Sequence, residues 1–256
     1  MVAEAKYTRQ TVTHVQPWVP GKLFSLRVSR DPAFAFQPGQ FARLGLPETG
    51  SPDGQPTLWR AYSMVSAPQE TELEFYSIVV PEGPFSPRLA QLRPGDALYV
   101  DKTAFGFLTL ERFPDGDKLW LLATGTGLSA YLSILRDPAS RQRFGRIVLV
   151  HGVRTASELA YRDELQALCR QHPHISYLPI ATREDLPGMP QARLTTLITD
   201  GGLEKLAGLK LDPASSRIML CGNPGMLTDA RKLLGERGFA PGRRGVPGNL
   251  AVENYW

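Results

Sequence analysis

Apolar and polar residues alternate along Phe24-Ser25-Leu26-Arg27-Val28-Ser29, the period of a strand with one face in a core and the other in water. Leu73 to Val80, rich in aromatic and β-branched residues, predicts a second strand, and Ala97 to Val100 a third. Turn signals separate them at Pro38-Gly39, Asp53-Gly54, Glu82-Gly83-Pro84 and Pro94-Gly95-Asp96. Many short strands between such turns predict a small antiparallel barrel.

After Phe113-Pro114-Asp115-Gly116 the rhythm changes. Leu119 to Ala123 is a continuous apolar strand, and Gly127 to Leu135 reads as a helix. Arg146 to Val150, Ile175 to Ile180 and Arg217 to Leu220 are further apolar strands. Thr155 and Glu158 have the spacing of a capping box, which predicts a helix opening there and running to about Arg170. Asn223 and Pro224 suit the N-cap and first position of a last long helix, with Gly238 beyond its end. Strands alternating with helices imply a parallel sheet covered on both faces. The fold class is therefore a two-domain chain, an N-terminal antiparallel β-barrel over residues 1–112 and a C-terminal α/β domain with a parallel sheet over residues 113–256.

Composition narrows the function classes. The 256 residues are 42% hydrophobic and 21% charged, with no low-complexity tract. No apolar run reaches the roughly 18 residues that span a bilayer, and the opening MVAEAKYTRQTV has no apolar signal core. Together with only two cysteines, Cys169 and Cys221, this leads us to expect a reducing cytoplasm. Two thiols provide neither a disulfide framework nor a four-thiolate iron–sulfur site within the chain. The net charge of +4 is spread among acids rather than clustered with aromatics, so a nucleic-acid footprint is weak. An acidic protein partner or an anionic cofactor accounts for the balance at least as well. His172-Pro173-His174 lies among neither acids nor cysteines and reads as a surface loop rather than a metal site.

Three segments carry candidate chemistry. Arg60-Ala61-Tyr62-Ser63 offers a guanidinium that can fork onto a phosphate, a flat ring and a hydroxyl. Gly125-Thr126-Gly127, after an apolar strand and before a helix, lets backbone N–H groups approach a diphosphate. Cys221-Gly222-Asn223-Pro224-Gly225-Met226 joins the last apolar strand to the last helix, where open α/β sheets bind ligands.

The order of these segments resembles the ferredoxin–NADP reductase family, and most closely its bacterial ferredoxin/flavodoxin branch. The similarity runs through RAYSMVSAP, FYSIVVPEGPFSPRLAQLRPGD, LLATGTGLSAYLSIL, VLVHGVR and IMLCGNPGM, and so covers nearly the whole chain. It implies FAD in the first half, NADP(H) in the second, and a small acidic ferredoxin or flavodoxin as partner. By the resemblance, Arg60 binds the FAD pyrophosphate, Tyr62 lies on one face of the isoalloxazine and Ser63 bonds near flavin N5. Tyr76, Ser77, Ile78 and Val79, then Pro84, Phe85 and Ser86, line the FAD, while Thr126 reaches the flavin or the nicotinamide nucleotide. Arg154, Arg183 and Arg193 match the 2′-phosphate site, where guanidinium groups read a near-dianion. Glu184 and Asp185 are the acids nearest to that site in sequence. Cys221 and Glu253 belong beside the nicotinamide, Tyr255 on the flavin face opposite Tyr62, and Trp256 on the FAD adenine. A monomer is the expected state. Two other readings stay open: the reductase component of an oxygenase system, and a flavin-binding regulatory module without turnover.

Overall fold

The computed structural model describes residues 5–48, 54–243 and 246–254. Six strands come first: β1 (Tyr7–Val19), β2 (Leu23–Ser29), β3 (Phe41–Pro47), β4 (Pro56–Ser63), β5 (Glu72–Ile78) and β6 (Ala97–Asp101), with the short helix α1 (Ser86–Leu89) between the last two. They form an antiparallel sheet in the order β4-β3-β6-β1-β2-β5. β1 serves two neighbours in turn, pairing with β6 through Tyr7 to Thr11 and with β2 from Val12 onward. A register shift between Val12 and His14 bends the strand just past that handover. The edge strands β4 and β5 meet again where Met64 bridges Phe75 and the Val65 N–H donates to the Glu74 carbonyl at 2.8 Å. The sheet thus curls into the expected barrel, packed inside with Leu26, Val28, Leu44, Phe75, Leu98 and Val100.

The remainder alternates: β7 (Lys118–Thr124), α2 (Leu128–Arg136), α3 (Pro138–Gln142), β8 (Arg146–Val153), α4 (Arg162–Gln171), β9 (Ile175–Ala181), α5 (Leu194–Thr199), α6 (Gly202–Ala207), β10 (Ser216–Cys221), α7 (Pro224–Glu236) and β11 (Leu250–Glu253). The strands form a parallel sheet in the order β11-β10-β7-β8-β9. Helices cover both faces, so β7 is apolar at every central position. Leu119, Leu121 and Ala123 pack with α2, whereas Trp120 and Leu122 pack with residues of α5 and α7. The chain runs from β7 outward through β8 to β9, then returns to the other side of β7 for β10. That reversal opens a crevice above the carboxyl ends of β7 and β10.

Several elements differ from the sequence expectations. β1 and β4 carry too many polar residues for periodicity alone to reveal them, β3 is broken by Gly45 and Pro47, and β11, α3, α5 and α6 are each six residues or fewer. The strand expected over Leu73 to Val80 ends at Ile78, because the Val79 N–H turns to the Lys22 carbonyl and the Val80 N–H to Ser86 Oγ. The capping box is absent. Thr155 precedes only a single 3-10 turn, Ala156–Glu158, and caps nothing with its side chain. The Glu158 carboxylate is drawn instead to the Arg154 N–H and to Lys22, and α4 begins later, at Arg162.

Barrel and sheet share one core. The cluster beneath α2 continues into the barrel side through Leu23, Val65, Tyr76, Leu108 and Leu110. A polar knot pins the same seam. The buried Glu74 of β5 accepts from Arg136 Nη1 at 2.8 Å and from the Tyr161 hydroxyl at 2.7 Å. Arg136, at the end of α2, also forks onto Glu164 at 2.7 and 2.9 Å. Burial pushes the Glu74 pKa up, but Arg136, Tyr161 and Arg27 together hold it below the ordinary glutamate value. Arg136→Met strands that carboxylate. We expect a loss of about 3–5 kcal/mol in denaturant unfolding at neutral pH. Because the folded-state pKa is depressed, the Glu74 contribution is present above the unfolded value of 4.5 and disappears as pH falls below it. The variant's deficit should therefore shrink in acid, and a deficit independent of pH would show that Glu74 is not the group at stake.

Candidate functional site

Two cavities meet over the crevice. The first, of about 400 Å³, lies against the barrel and is lined by Arg60, Ala61, Tyr62 and Ser63 of β4, Tyr76, Ser77 and Ile78 of β5, and Pro84, Phe85 and Ser86 at the start of α1. Thr126, Gly127 and Gly222 close it from the sheet side. The second, of about 620 Å³, runs over the carboxyl ends of the sheet and carries Gly125, Thr126, Arg154, Arg183 and Arg193. Tyr76, Ile78 and Thr126 belong to both walls.

Local structure explains each placement. β4 is an edge strand, which leaves Arg60 and Ala61 exposed on the cavity side while Tyr62 is partly covered by Phe85, its ring centroid 5.8 Å away. Burial raises the Tyr62 pKa despite a hydrogen bond to Ser77 and the nearby Arg60, so its phenol stays protonated at neutral pH. The turn after β7 is a 3-10 turn, Gly125–Gly127, running straight into α2, and Ser129 Oγ ties it down by donating to the Thr126 carbonyl at 2.9 Å. A Cβ on Gly127 would lie 2.5 Å from the Cys221 carbonyl oxygen, and one on Gly222 (φ +138°) would lie 2.2 Å from Thr124 Oγ1. Only glycines let the two strand-end turns touch. Asn223 accepts from the Gly225 and Met226 N–H groups at 2.9 and 3.2 Å, which caps α7 as the sequence predicts.

The three arginines come from two loops, Arg154 after β8 and Arg183 and Arg193 after β9, and all are exposed. The Arg183 N–H donates to the Arg154 carbonyl at 2.9 Å, so the two loops are joined by the backbone. Glu184 faces another way and caps the 3-10 turn by accepting from the Ala156 N–H at 2.7 Å. Glu158 does line the cavity. Burial raises its pKa, and bonds from Lys22 and the Arg154 N–H more than offset this, leaving it ionised.

Some expected site residues lie elsewhere. Val79 packs on the barrel core. Cys221 is fully buried in the sheet's core and lines neither cavity, and burial, aided by Glu253 beside it, raises its thiol pKa. Its neighbour Gly222 meets the cavity instead. Glu253 is the β11 partner of Cys221, and its Oε1 accepts from the Phe107 N–H at 3.3 Å. Tyr255 and Trp256 lie outside the described residues. Sequence reasoning missed Ser129, Thr124 and Thr195, whose hydroxyls carry no pattern, and Asp229, which reaches the cavity from α7.

Near the site, buried polar groups lack partners among the described residues on Tyr76, in the common wall, and on His151, behind the glycine turn. The Tyr76 hydroxyl is buried without one, and so is His151 Nδ1. His151 sits on β8 under the glycine turn, with Nε2 3.1 Å from the Gly125 carbonyl. A neutral ring donating there would hold that carbonyl inward, leaving the outer side of the turn to a ligand. Burial drives the His151 pKa down to about 4. The folded value lies below the unfolded one, so stability is full above pH 6.5 and is lost as pH falls toward 4, by about 3 kcal/mol. His151→Gln should flatten the stability curve between those limits while leaving the curve above pH 7 level, as read by urea unfolding across pH. An unchanged acid slope would show that His151 is protonated alike in both states.

Known proteins place this architecture. Residues 121–232 match the model of the oxidoreductase NAD-binding domain. A Sorangium cellulosum protein named ferredoxin–NADP reductase A is 42% identical over 96% of this chain and 89% of its own length. The flavodoxin/ferredoxin–NADP reductase of Escherichia coli K12 is 40% identical over 98% of this chain and its whole length. A crystal structure of a ferredoxin NADP+ reductase from Neisseria gonorrhoeae, with bound FAD and NADP, superposes with a TM-score of 0.92 at 38% identity, covering 99% of this chain and all of that one.

Proposed function

The chain belongs to the bacterial ferredoxin/flavodoxin–NADP reductase family, and from that premise we propose how its own residues divide the work of passing electrons between NADPH and a ferredoxin or flavodoxin through FAD. We assign residues 1–112 to the FAD and residues 113–256 to the NADP(H). The observation that carries the reading is the common wall: Tyr76, Ile78 and Thr126 line both cavities, so ligands filling them meet there. Reacting centres held in contact gain the large advantage of proximity that hydride transfer requires.

The donor set fits the two nucleotides. Arg60 is exposed at the cavity, where it can fork onto a pyrophosphate, Tyr62 offers a half-buried flat ring, and Ser63 adds a hydroxyl at the end of β4. Arg154, Arg183 and Arg193 present three guanidinium groups for a 2′-phosphate. Bound FAD supplies the chemistry that joins a two-electron donor to one-electron carriers. The chain orients the reactants and excludes water through Tyr76, Ile78 and Phe85, and no general acid or nucleophile is needed. Gly222 then borders the nicotinamide end, with Cys221 acting through packing beneath it and Glu253 set beside Cys221 on β11. Tyr255 and Trp256 are assigned from sequence resemblance to cover the flavin and the FAD adenine. Among the described residues no helix is long and apolar enough to cross a membrane, and we place the protein in the cytoplasm as a monomer.

Anaerobic mixing with NADPH should bleach the oxidised flavin bands of the purified protein. A yellow protein that stays yellow would point to the regulatory module instead. Pull-down with the cell's own small redox proteins identifies the carrier. Arg154→Ala or Arg193→Ala should raise the KM for NADPH about ten- to a hundredfold, a loss of roughly 1.5–3 kcal/mol, with NADH kinetics almost unmoved. Equal native rates with the two nucleotides would refute the assignment of these arginines.

A further inference from the structure

A carboxylate stands inside the arginine-lined cavity. Glu158 is 6% exposed, and its Oε2 accepts from the Arg154 N–H at 3.1 Å while Oε1 lies a looser 3.9 Å from Arg154 Nε. A buried anion at this point opposes a phosphate dianion, and it can also draw the half-exposed Arg154 guanidinium onto itself as an i,i+4 pair. What faces Glu158 from the other side is Lys22, whose Nζ pairs with the same Oε1. Lys22 belongs to the barrel, not to the sheet. It closes the β1–β2 hairpin, donating its N–H to the Val19 carbonyl at 2.9 Å and accepting from the Val79 N–H at 2.8 Å. Its ammonium is therefore delivered across the seam from a fixed backbone.

We propose that Lys22 is a specificity-determining residue for the 2′-phosphate of NADPH: by occupying Glu158 Oε1 it neutralises the one carboxylate buried in the cavity among the described residues and leaves the Arg154 guanidinium to the ligand. The proposal rests on the reading of Arg154, Arg183 and Arg193 as the 2′-phosphate site. Lys22 touches neither nucleotide. It acts through Glu158 and is a positioning residue. It also makes the barrel, the half assigned to FAD, a determinant of which pyridine nucleotide is accepted.

The test uses FAD-loaded protein and two small probes, adenosine 2′,5′-bisphosphate and 5′-AMP, titrated calorimetrically. Lys22→Met should weaken bisphosphate binding about tenfold and change AMP binding less than about twofold. In turnover the KM for NADPH should rise while kcat and the NADH reaction stay level. Lys22→Arg keeps the charge and should keep the affinity. The double variant Lys22→Met/Glu158→Gln removes the stranded anion and should restore bisphosphate binding, which a purely structural tie would not do. FAD absorbance and thermal melting monitor each protein. If Lys22→Met cannot hold FAD, Glu158→Gln alone decides, since with Lys22 present it should bind the bisphosphate at least as tightly as the native protein. Equal weakening of both probes, no weakening, or no rescue would overturn the role of Lys22. A native protein that binds bisphosphate no better than AMP would overturn the 2′-phosphate reading itself, and the proposal with it.

Discussion

The site depends on one close approach. The turn after β7 and the turn after β10 touch through Gly127 and the Cys221 carbonyl, at a separation that excludes a Cβ. Adjacent parallel strands whose helices leave toward opposite faces always part at their carboxyl ends. Here the parting is kept shallow, because both turns are tight and glycine-built, and so the helix α2 N-terminus and the Gly222 backbone reach the same small volume. A bulkier residue at Gly127 or Gly222 would push the turns apart and separate the two cavities that Thr126 now joins.

The second constraint is the seam. A parallel sheet buries both faces, and on one of them barrel residues join α2 and α4 in completing the cover. An apolar seam alone would hold the halves together without setting their angle closely, since hydrophobic contact is non-directional. The directional groups sit at its borders. Glu74 meets Arg136 and Tyr161 on the α2 side, and Glu158 meets Lys22 on the cavity side. Each carboxylate is nearly buried, so a cation or hydroxyl displaced from it would leave an unpaired charge in a low-dielectric setting. These pairs therefore resist any slip of the barrel along the sheet, which would also disturb the common wall of the cavities.

The sequence carried the α/β half well, and for a physical reason. Strands buried on both faces must be apolar throughout, so β7, β8 and β10 stand out as runs, and the N-cap of α7 follows from the local chemistry of Asn223 and Pro224. The barrel was legible as a class from its turns, but β1, β3 and β4 were not: β1 and β4 mix polar residues in freely, β3 is broken by Gly45 and Pro47, and β1 and β3 each pair with β6 far along the chain. Glycine turns and arginines were legible as chemistry, since phosphate recognition restricts the residue types that serve it.

Tertiary structure alone decided where long-range partners go. Thr155 and Glu158 have the spacing of a cap, yet Lys22, which is 136 positions away, captures the carboxylate, and a charge-assisted bond across the seam outweighs a local one. Cys221 follows a motif that points to the crevice, but its strand position turns the thiol into the core and leaves Gly222 at the surface. Local rules act over four residues, and side-chain direction at a strand end depends on register with β7 and β11. The residue types available for the chemistry are written in the chain, whereas the pairings that aim them arise only when barrel and sheet close on each other.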